Sequence, residues 1–534
     1  MEYFYVGKRD DYRKAFYANC GETYEFKIEP DTKEIFLAVS VKFSLIDKVI
    51  KRLKRYVSHS IKYLKFTVEI EGQEIAQRII LAGHSKDWML QSDLNSDWYD
   101  IFIPVQNVTT EKCKLRVEFL DNQCNPIRTS FLRNNVLVAK PIFLKKRHKN
   151  NIIYITLESL TDFDYLKSNG IISDQTYQLY EQVFADFNRV NDAICQTDWT
   201  FPATVSYHTG LLSSQHKMYD SERIKSKQDC VHEKLISIAE LLKEEGYVTF
   251  SANLGKLRAE NGFANGIDCY YKPESSLGFV EYTGDDKWVL KKLELFKNNC
   301  FIHLHYDRLH HPLFSTTGPW SRIRTKENPK LSEDGRLLNP ENCYEANLRI
   351  LLYEINNIIT YLKINNIFKE TIFIVTGDHG YDFGEWFDVK QETPLLESRL
   401  RVPYLINQQS AVNTKNASIR PFMEICDLLD LKLPDYYNSL PQKDEELSRY
   451  TFAEAILKTK DHLYVLRIGD ERYHYTLYAY LNWQKFEILN IEKEYVASSA
   501  SGQIENDQAI KEKYIRLRER FFELNALFYK QVWD

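Results

Sequence analysis

The chain has 534 residues, enough for two or three domains and a large core. Its net charge of −5 and pI near 6.3 offer no basic footprint for nucleic acid. With 44% hydrophobic and 14% aromatic residues it is a globular rather than a disordered composition. The nine cysteines are scattered, odd in number and without a CxxC pair, which argues against a disulfide framework and a cysteine zinc site. MEYFYVGKRDDYRK has no apolar h-region, and no run of 18 apolar residues follows anywhere. The expectation is a cytoplasmic protein with no transmembrane segment.

Residues 1–148 read as β-rich. EIFLAVSVKF, YLKFTVEIEG, YDIFIPVQ and KLRVEFLD alternate apolar and polar side chains, as strands of a β-sandwich do. The basic stretch IDKVIKRLKRYVSHSIKY suits a helix with a solvated face, or one that docks on an anionic polymer or membrane surface. KKRHKN, residues 145–150, marks a charged boundary. Residues 149–410 then change pattern. Apolar runs at 151–158, 247–252, 299–306 and 371–377 alternate with helical stretches at 173–194, 233–245 and 343–368. Continuous apolar strands between helices predict an α/β domain whose parallel sheet is covered on both faces. Residues 411–534 carry HLYVLRIG, YHYTLYAYL, KFEILNI and a charged amphipathic helix, and predict a small antiparallel sheet plus helix completing the main domain.

Ligands of open α/β sheets bind beyond the carboxyl ends of the strands. Asp378 and His379 follow the run TIFIVTG, and Glu158 ends NIIYITLE. Each alone is ordinarily a turn or cap. Together they form a mixed oxygen and nitrogen set suited to a divalent metal such as Mn²⁺ or Zn²⁺. In DWTFPATVSYHTG, Pro202 suits a helix start and 203–212 can be helical, which places Thr200 at the N-terminus. Free amides there favour phosphate or sulfate, with the dipole contributing about 0.3–1 kcal/mol. The plainer role for Thr200 is a cap. His208 is expected at a packed helix position. His303 and His305 share one face of a strand, ordinarily a polar face and no more.

These residues carry a resemblance to the sulfatase/alkaline-phosphatase superfamily, spanning about 151–495. NIIYITLESL resembles that family's first, metal-binding strand. Thr200, Pro202, Thr209 and Gly210 keep the spacing of its nucleophile signature. LKEEGYVTF, NGIDCYY, HHP at 310–312, TGDHG, LESRLRVPYLI and KFEILNIEKE resemble further family motifs in the family's order. The resemblance implies an alkaline-phosphatase-like fold. Sulfatases use Cys or Ser matured to formylglycine, with an arginine four residues later; here Thr200 and Thr204 stand at those positions. The resemblance is therefore to the threonine branch, with phosphoethanolamine and glycerol-phosphate transferases and phosphodiesterases.

What it implies is one tightly held divalent metal on Glu158, Thr200, Asp378 and His379, and a phospho-threonine intermediate on Thr200. His310 is the first candidate to protonate the leaving group, with Lys390 near a second slot. Asp307 and His311 resemble a ligand pair for a second metal or for substrate. The expected function is transfer of a substituted phosphate from a donor, for example a nucleotide-activated one, onto a saccharide acceptor of a surface or capsular glycan. The alternative is phosphodiester or phosphonate monoester hydrolysis; a sulfatase is the weaker expectation.

Overall fold

The structure is a computed structural model. It describes eight strands within residues 16–144, and then residues 150–218, 231–252 except 233, 262–271 except 264, 289–290, 293, 300–309 except 307, 340–383 except 382, 395–457, 463–499 and 502–533.

The N-terminal strands are β1 (Phe16–Asn19), β2 (Thr23–Lys27), β3 (Glu34–Lys42), β4 (Tyr63–Ile70), β5 (Gln73–Leu81), β6 (Tyr99–Pro104), β7 (Lys112–Leu120) and β8 (Val136–Leu144). They form two four-stranded antiparallel sheets, β1-β8-β3-β6 and β2-β7-β4-β5. The four alternating stretches noted in the sequence are β3, β4, β6 and β7. The basic stretch expected as a helix lies outside the described residues, except that its last residue, Tyr63, opens β4.

The main sheet has seven strands: β9 (Asn151–Leu157), β10 (Asn188–Arg189), β11 (Val248–Ala252), β12 (Cys269–Tyr271), β13 (Cys300–Tyr306), β14 (Thr371–Gly377) and β15 (Tyr404–Ile406). Their order is β10-β15-β14-β9-β13-β11-β12. The run from β14 to β12 is parallel, and β15 is antiparallel to both its neighbours. All seven residues of β9, β13 and β14 are buried, because both faces of the sheet are covered. Alternate residues of β9 serve opposite cores. Ile152 and Tyr154 join the core shared with the C-terminal elements, while Ile153, Ile155 and Leu157 join the core on the other face.

The helices that cover the sheet are shorter or shifted against the sequence expectation. α1 is Phe163–Ser168, and α2 runs Asp174–Val183 rather than 173–194. Ser173 caps α2, and the chain beyond Phe187 pairs as β10 with β15, so strand pairing replaces further helix. α3 is Thr200–Thr209 and α4 Ser213–His216. α5 is Ile238–Glu244, later than the expected 233, because Ser237 and Glu240 form a reciprocal capping box. α6 is Pro340–Ile364, α7 Glu397–Leu400 and α8 Arg420–Leu428.

The C-terminal sheet is antiparallel, β16 (Thr451–Leu457), β17 (Leu463–Gly469), β18 (Tyr473–Asn482) and β19 (Glu487–Ser498) in simple order. The final helix α9, Gln508–Val532, is capped by Asp507 and buries Tyr514, Phe521 and Phe528 against that sheet's side of the core. Among the described residues no helix is long and apolar enough to cross a membrane.

Candidate active site

Three neighbouring strands deliver the site. β9 lies between β13 and β14, and all three run parallel and end on one edge. Glu158 is the first residue past β9, and its N–H extends the ladder to the Tyr306 carbonyl at 2.8 Å. Ser159 then takes left-handed backbone, φ 64°, and donates its N–H to Asp378 Oδ1 at 2.9 Å. A non-glycine residue held there stores strain of the kind found at functional sites. Asp378, the first residue past β14, also accepts the His379 N–H on Oδ1 at 2.7 Å.

The two glycines around Asp378-His379 are steric requirements. A Cβ on Gly377 would stand 2.6 Å from the Leu160 carbonyl oxygen, and one on Gly380 would collide with the Ser398 carbonyl oxygen. The TGDHG stretch is thus packed backbone to backbone against the segments after β9 and in α7, which holds the acid and the imidazole in place.

The hydrogen bonds decide which atoms face the centre. His379 Nδ1 lies 2.8 Å from the Gly380 carbonyl, which only accepts, so Nδ1 carries a proton. Nε2 then faces Thr200 Oγ1 at 3.2 Å and Asp378 Oδ2 at 3.6 Å. Thr200 Oγ1 donates to Glu158 Oε1 at 2.7 Å. On the far side, Thr204 Oγ1 donates to the Thr200 carbonyl at 2.8 Å and accepts from the Tyr207 hydroxyl at 3.0 Å. Burial pushes the Tyr207 hydroxyl well above its ordinary pKa, so it keeps that proton. Its oxygen is left to accept from His305 Nδ1 at 2.9 Å. His305 Nε2 is thereby turned to Glu158 Oε2, 3.6 Å away.

Glu158, His305 and Asp378 are all buried, and each offers a ligand atom within 4.8 Å of the others. Asp378 Oδ2 is buried and accepts no hydrogen bond, and among the described residues no lysine or arginine pairs with Asp378. Two carboxylates, two imidazoles and a hydroxyl therefore turn lone pairs toward one small volume. A divalent cation fits that donor set. Thr200 is the part-exposed member of the group and stands at the first position of the ten-residue α3. Trp199 occupies the cap position and makes no side-chain cap bond, so the first amides of α3 are not covered by the cap residue.

The structure brings Glu158, Thr200, Asp378 and His379 together, and adds His305 to them. α3 starts three residues before the expected 203, so Thr200 lies inside the helix rather than capping it. His208 is a buried helix position: its ring meets His303 edge-on at 4.9 Å, and burial, with His305 nearby, lowers its pKa to about 3. His303 bonds Ser251 at 3.0 Å and Thr156 at 3.3 Å, deeper in the sheet. Asp307, His310, His311 and Lys390 lie outside the described residues. Sequence reasoning left His305 as half of a polar strand face and did not single out Tyr207. The available signals were the H-x-H alternation in β13, which ends near the sheet edge, and the one-turn spacing of Thr200, Thr204 and Tyr207 on α3.

The fold and site define an α/β protein with a candidate metal group at the edge of a mostly parallel sheet. The sulfatase family's sequence model matches residues 150–429, more than half of the chain, and the chain belongs to that family. No curated protein matches the sequence. Among solved structures, the chain is similar to yidJ of Bacteroides fragilis, assigned as a sulfatase, at 14% identity, TM-score 0.55, covering 72% of this chain and 98% of that one. It is similar to the phosphonate monoester hydrolase of Agrobacterium radiobacter at 14% identity, TM-score 0.52, covering 71% and 96%. The phosphonate monoester hydrolase of Silicibacter pomeroyi is 14% identical, TM-score 0.50, with 70% and 94% covered.

Proposed function

We propose that the chain transfers a substituted phosphate through Thr200 onto a saccharide hydroxyl. The observation that carries this is the placement of Thr200 Oγ1 at the N-terminus of α3, 2.7 Å from Glu158 Oε1 and 3.2 Å from His379 Nε2. Glu158, Asp378, His379 and Thr200, with His305 beside them, would hold a divalent cation, Mn²⁺ or Zn²⁺. When bound, such a cation lowers the threonine hydroxyl pKa and offsets charge on phosphate oxygens.

The residues divide the work. Glu158 already accepts the Thr200 hydroxyl hydrogen. Thr200 Oγ1 attacks phosphorus in line, an Oγ–P bond forms, and the P–O bond to the leaving group breaks. The α3 amides stabilise charge on the non-bridging oxygens. Asp378, fixed by two backbone N–H groups, and His379, fixed by the Gly380 carbonyl, hold the reacting edge rigid. The acceptor hydroxyl then displaces Thr200 from phosphorus. His310 or Lys390 protonates the leaving group in this reading, and Asp307 with His311 engages substrate or a second metal.

Partners in the same reading are an activated phospho-group donor and a saccharide acceptor in the cytoplasm. Residues 1–148 act as an accessory domain, 149–410 as the catalytic domain and 411–534 as its completing subdomain. Hydrolysis of a phosphodiester or phosphonate monoester is the second reading. The fold shared with the Agrobacterium radiobacter hydrolase favours it.

The test is turnover of bis-p-nitrophenyl phosphate, p-nitrophenyl phosphate, a phosphonate monoester and p-nitrophenyl sulfate, with added Mn²⁺ or Zn²⁺ and with or without a sugar acceptor. Thr200→Ala should lower phosphorus-ester turnover at least about a thousandfold. Slow turnover accelerated by a sugar supports transfer, and fast turnover indifferent to sugar supports hydrolysis. Sulfate as the best substrate, or activity surviving in Thr200→Ala, would overturn the assignment.

A further inference from the structure

We propose that Tyr207 is a positioning residue that commits His305 to the metal group, and that His305 in turn makes the site favour zinc over manganese. The proposal rests on the metal reading of the site given above; it does not require phosphoryl transfer.

The hydroxyls along α3 leave the His305 ring one arrangement. The Thr200 carbonyl only accepts, so it takes the Thr204 hydroxyl hydrogen at 2.8 Å. Thr204 Oγ1 is left with lone pairs and takes the Tyr207 hydrogen at 3.0 Å. The Tyr207 oxygen then offers a lone pair to His305 Nδ1 at 2.9 Å. A neutral imidazole carries one proton, which this chain of bonds places on Nδ1, so the Nε2 lone pair faces the metal group. The phenol is held where it stands. Tyr207 is 1% exposed, its ring meets Tyr154 edge-on at 5.4 Å, and it lies 5.4 Å from the His303 ring. A metal-bound histidine ordinarily donates its other ring N–H to a carboxylate, a carbonyl or water. Here a tyrosine oxygen takes that place.

Two observations point to a shared cation rather than to a plain histidine–carboxylate bond. His305 Nε2 and Glu158 Oε2 are 3.6 Å apart. That is longer than the roughly 2.7–3.2 Å of a good hydrogen bond and near the roughly 3.4 Å between two ligands of one tetrahedral zinc ion. The ligand atoms of Glu158, His305 and Asp378 also lie within 4.8 Å of one another, and Asp378 Oδ2 in that group is buried and accepts no hydrogen bond. The donor chemistry then bears on which ion. Carboxylate and hydroxyl oxygens serve manganese and magnesium, whereas each imidazole shifts the balance toward zinc. His379 supplies one imidazole in any case, with Nε2 at 3.2 Å from Thr200 Oγ1. His305 is the second. Its lone pair tips the choice of ion, and the Tyr207 hydroxyl presents that lone pair.

The experiment titrates the chelator-treated full chain with Zn²⁺ and, separately, Mn²⁺. It also reads the ring nitrogen and Cδ2 shifts of histidine-labelled, metal-free protein, with His305 identified by its absence in His305→Ala. The parent should carry its His305 proton on Nδ1. Tyr207→Phe keeps the ring and removes the hydroxyl. It should shift that proton toward Nε2 and weaken Zn²⁺ at least about tenfold, Mn²⁺ by less, so that the ratio of the two affinities falls. His305→Ala should lower the ratio at least as far. Tyr437→Phe removes another buried hydroxyl, bonded to the Thr209 carbonyl at the other end of α3, and should leave tautomer and ratio as in the parent. Thermal melts identify any variant that fails to fold, and the near-isosteric Tyr207→Phe then decides. A His305 proton on Nε2 in the parent, a ratio unchanged in both Tyr207→Phe and His305→Ala, or an equal change in Tyr437→Phe would overturn the proposal. A parent that binds neither ion would overturn the metal reading with it. The expected ratios without phosphorus-ester turnover would keep this role for Tyr207 and remove the proposed function.

Discussion

Two of the places where the molecule buries carboxylates are built in opposite ways. Glu424, on α8, accepts Arg420 Nε at 2.8 Å on one oxygen and the Tyr404 hydroxyl at 2.6 Å on the other. Arg420 also donates to the Thr414 carbonyl, so charge and hydrogen bonds close within the protein. Asp378, past β14, satisfies one oxygen with two backbone N–H groups and leaves the other bare among imidazoles and Glu158. The first cluster is complete as it stands and serves the fold. The second gathers acceptors, an arrangement that would cost stability unless a cation sits among them.

The largest effect should separate the two clusters by activity. Asp378→Asn is expected to abolish stoichiometric metal and to lower turnover by about a thousandfold or more, while the metal-free protein remains as resistant to urea as the metal-free parent. Elemental analysis and urea titration in a chelator check this; retained metal and turnover would break the comparison. Glu424→Gln should do the reverse. It leaves Arg420 buried without its counter-charge and should cost about 3–5 kcal/mol in urea unfolding, with metal content of the folded protein unchanged. A smaller effect concerns the metal itself. At a free concentration about 100-fold above its dissociation constant, Mn²⁺ or Zn²⁺ should stabilise the parent by about 2.7 kcal/mol and Asp378→Asn not at all, which a melt with and without chelator reads.

The smallest effect is one of pH. His216 accepts the Met218 N–H on Nδ1 and bonds Ser206 through Nε2, and burial lowers its pKa from 6.5 to about 3. The unfolded chain therefore takes up a proton below pH 6.5 that the folded chain refuses until about pH 3. Stability from this group should be lost as pH falls through that window and be flat above it. His216→Gln should show a shallower acid decline in urea midpoint between pH 7 and pH 4 than the parent; equal slopes would assign the acid sensitivity elsewhere.

The legibility of the molecule follows the range of the interactions involved. β9, β13 and β14 could be read because a strand covered on both faces must be apolar throughout. α9 could be read to within a residue or two, since its charges and apolar stripe are local. α2 was overestimated because β10 pairs with β15, more than 200 residues away, and no local signal carries that pairing. α5 begins late because Ser237 and Glu240 form a capping box, a pattern the sequence carries in the clear. At the site, Glu158, Asp378 and His379 stand at strand ends and Thr200 at a helix start, positions with chemical meaning in a single pass. His305 looks the same in sequence as His303, two residues earlier.

By itself, then, the sequence determined the central strands, the family and the residue types available at the sheet edge, because periodicity and motif spacing are properties of short segments. Only the tertiary structure decided which of two buried histidines stands in the candidate metal group. β13 places His303 beside Ser251 and Thr156, inside the sheet, and carries His305 to the edge, where Tyr207 of α3 orients it toward Glu158. That difference comes from register against β9 and from a helix packed over the strand end, and both are set by contacts between segments more than 90 residues apart.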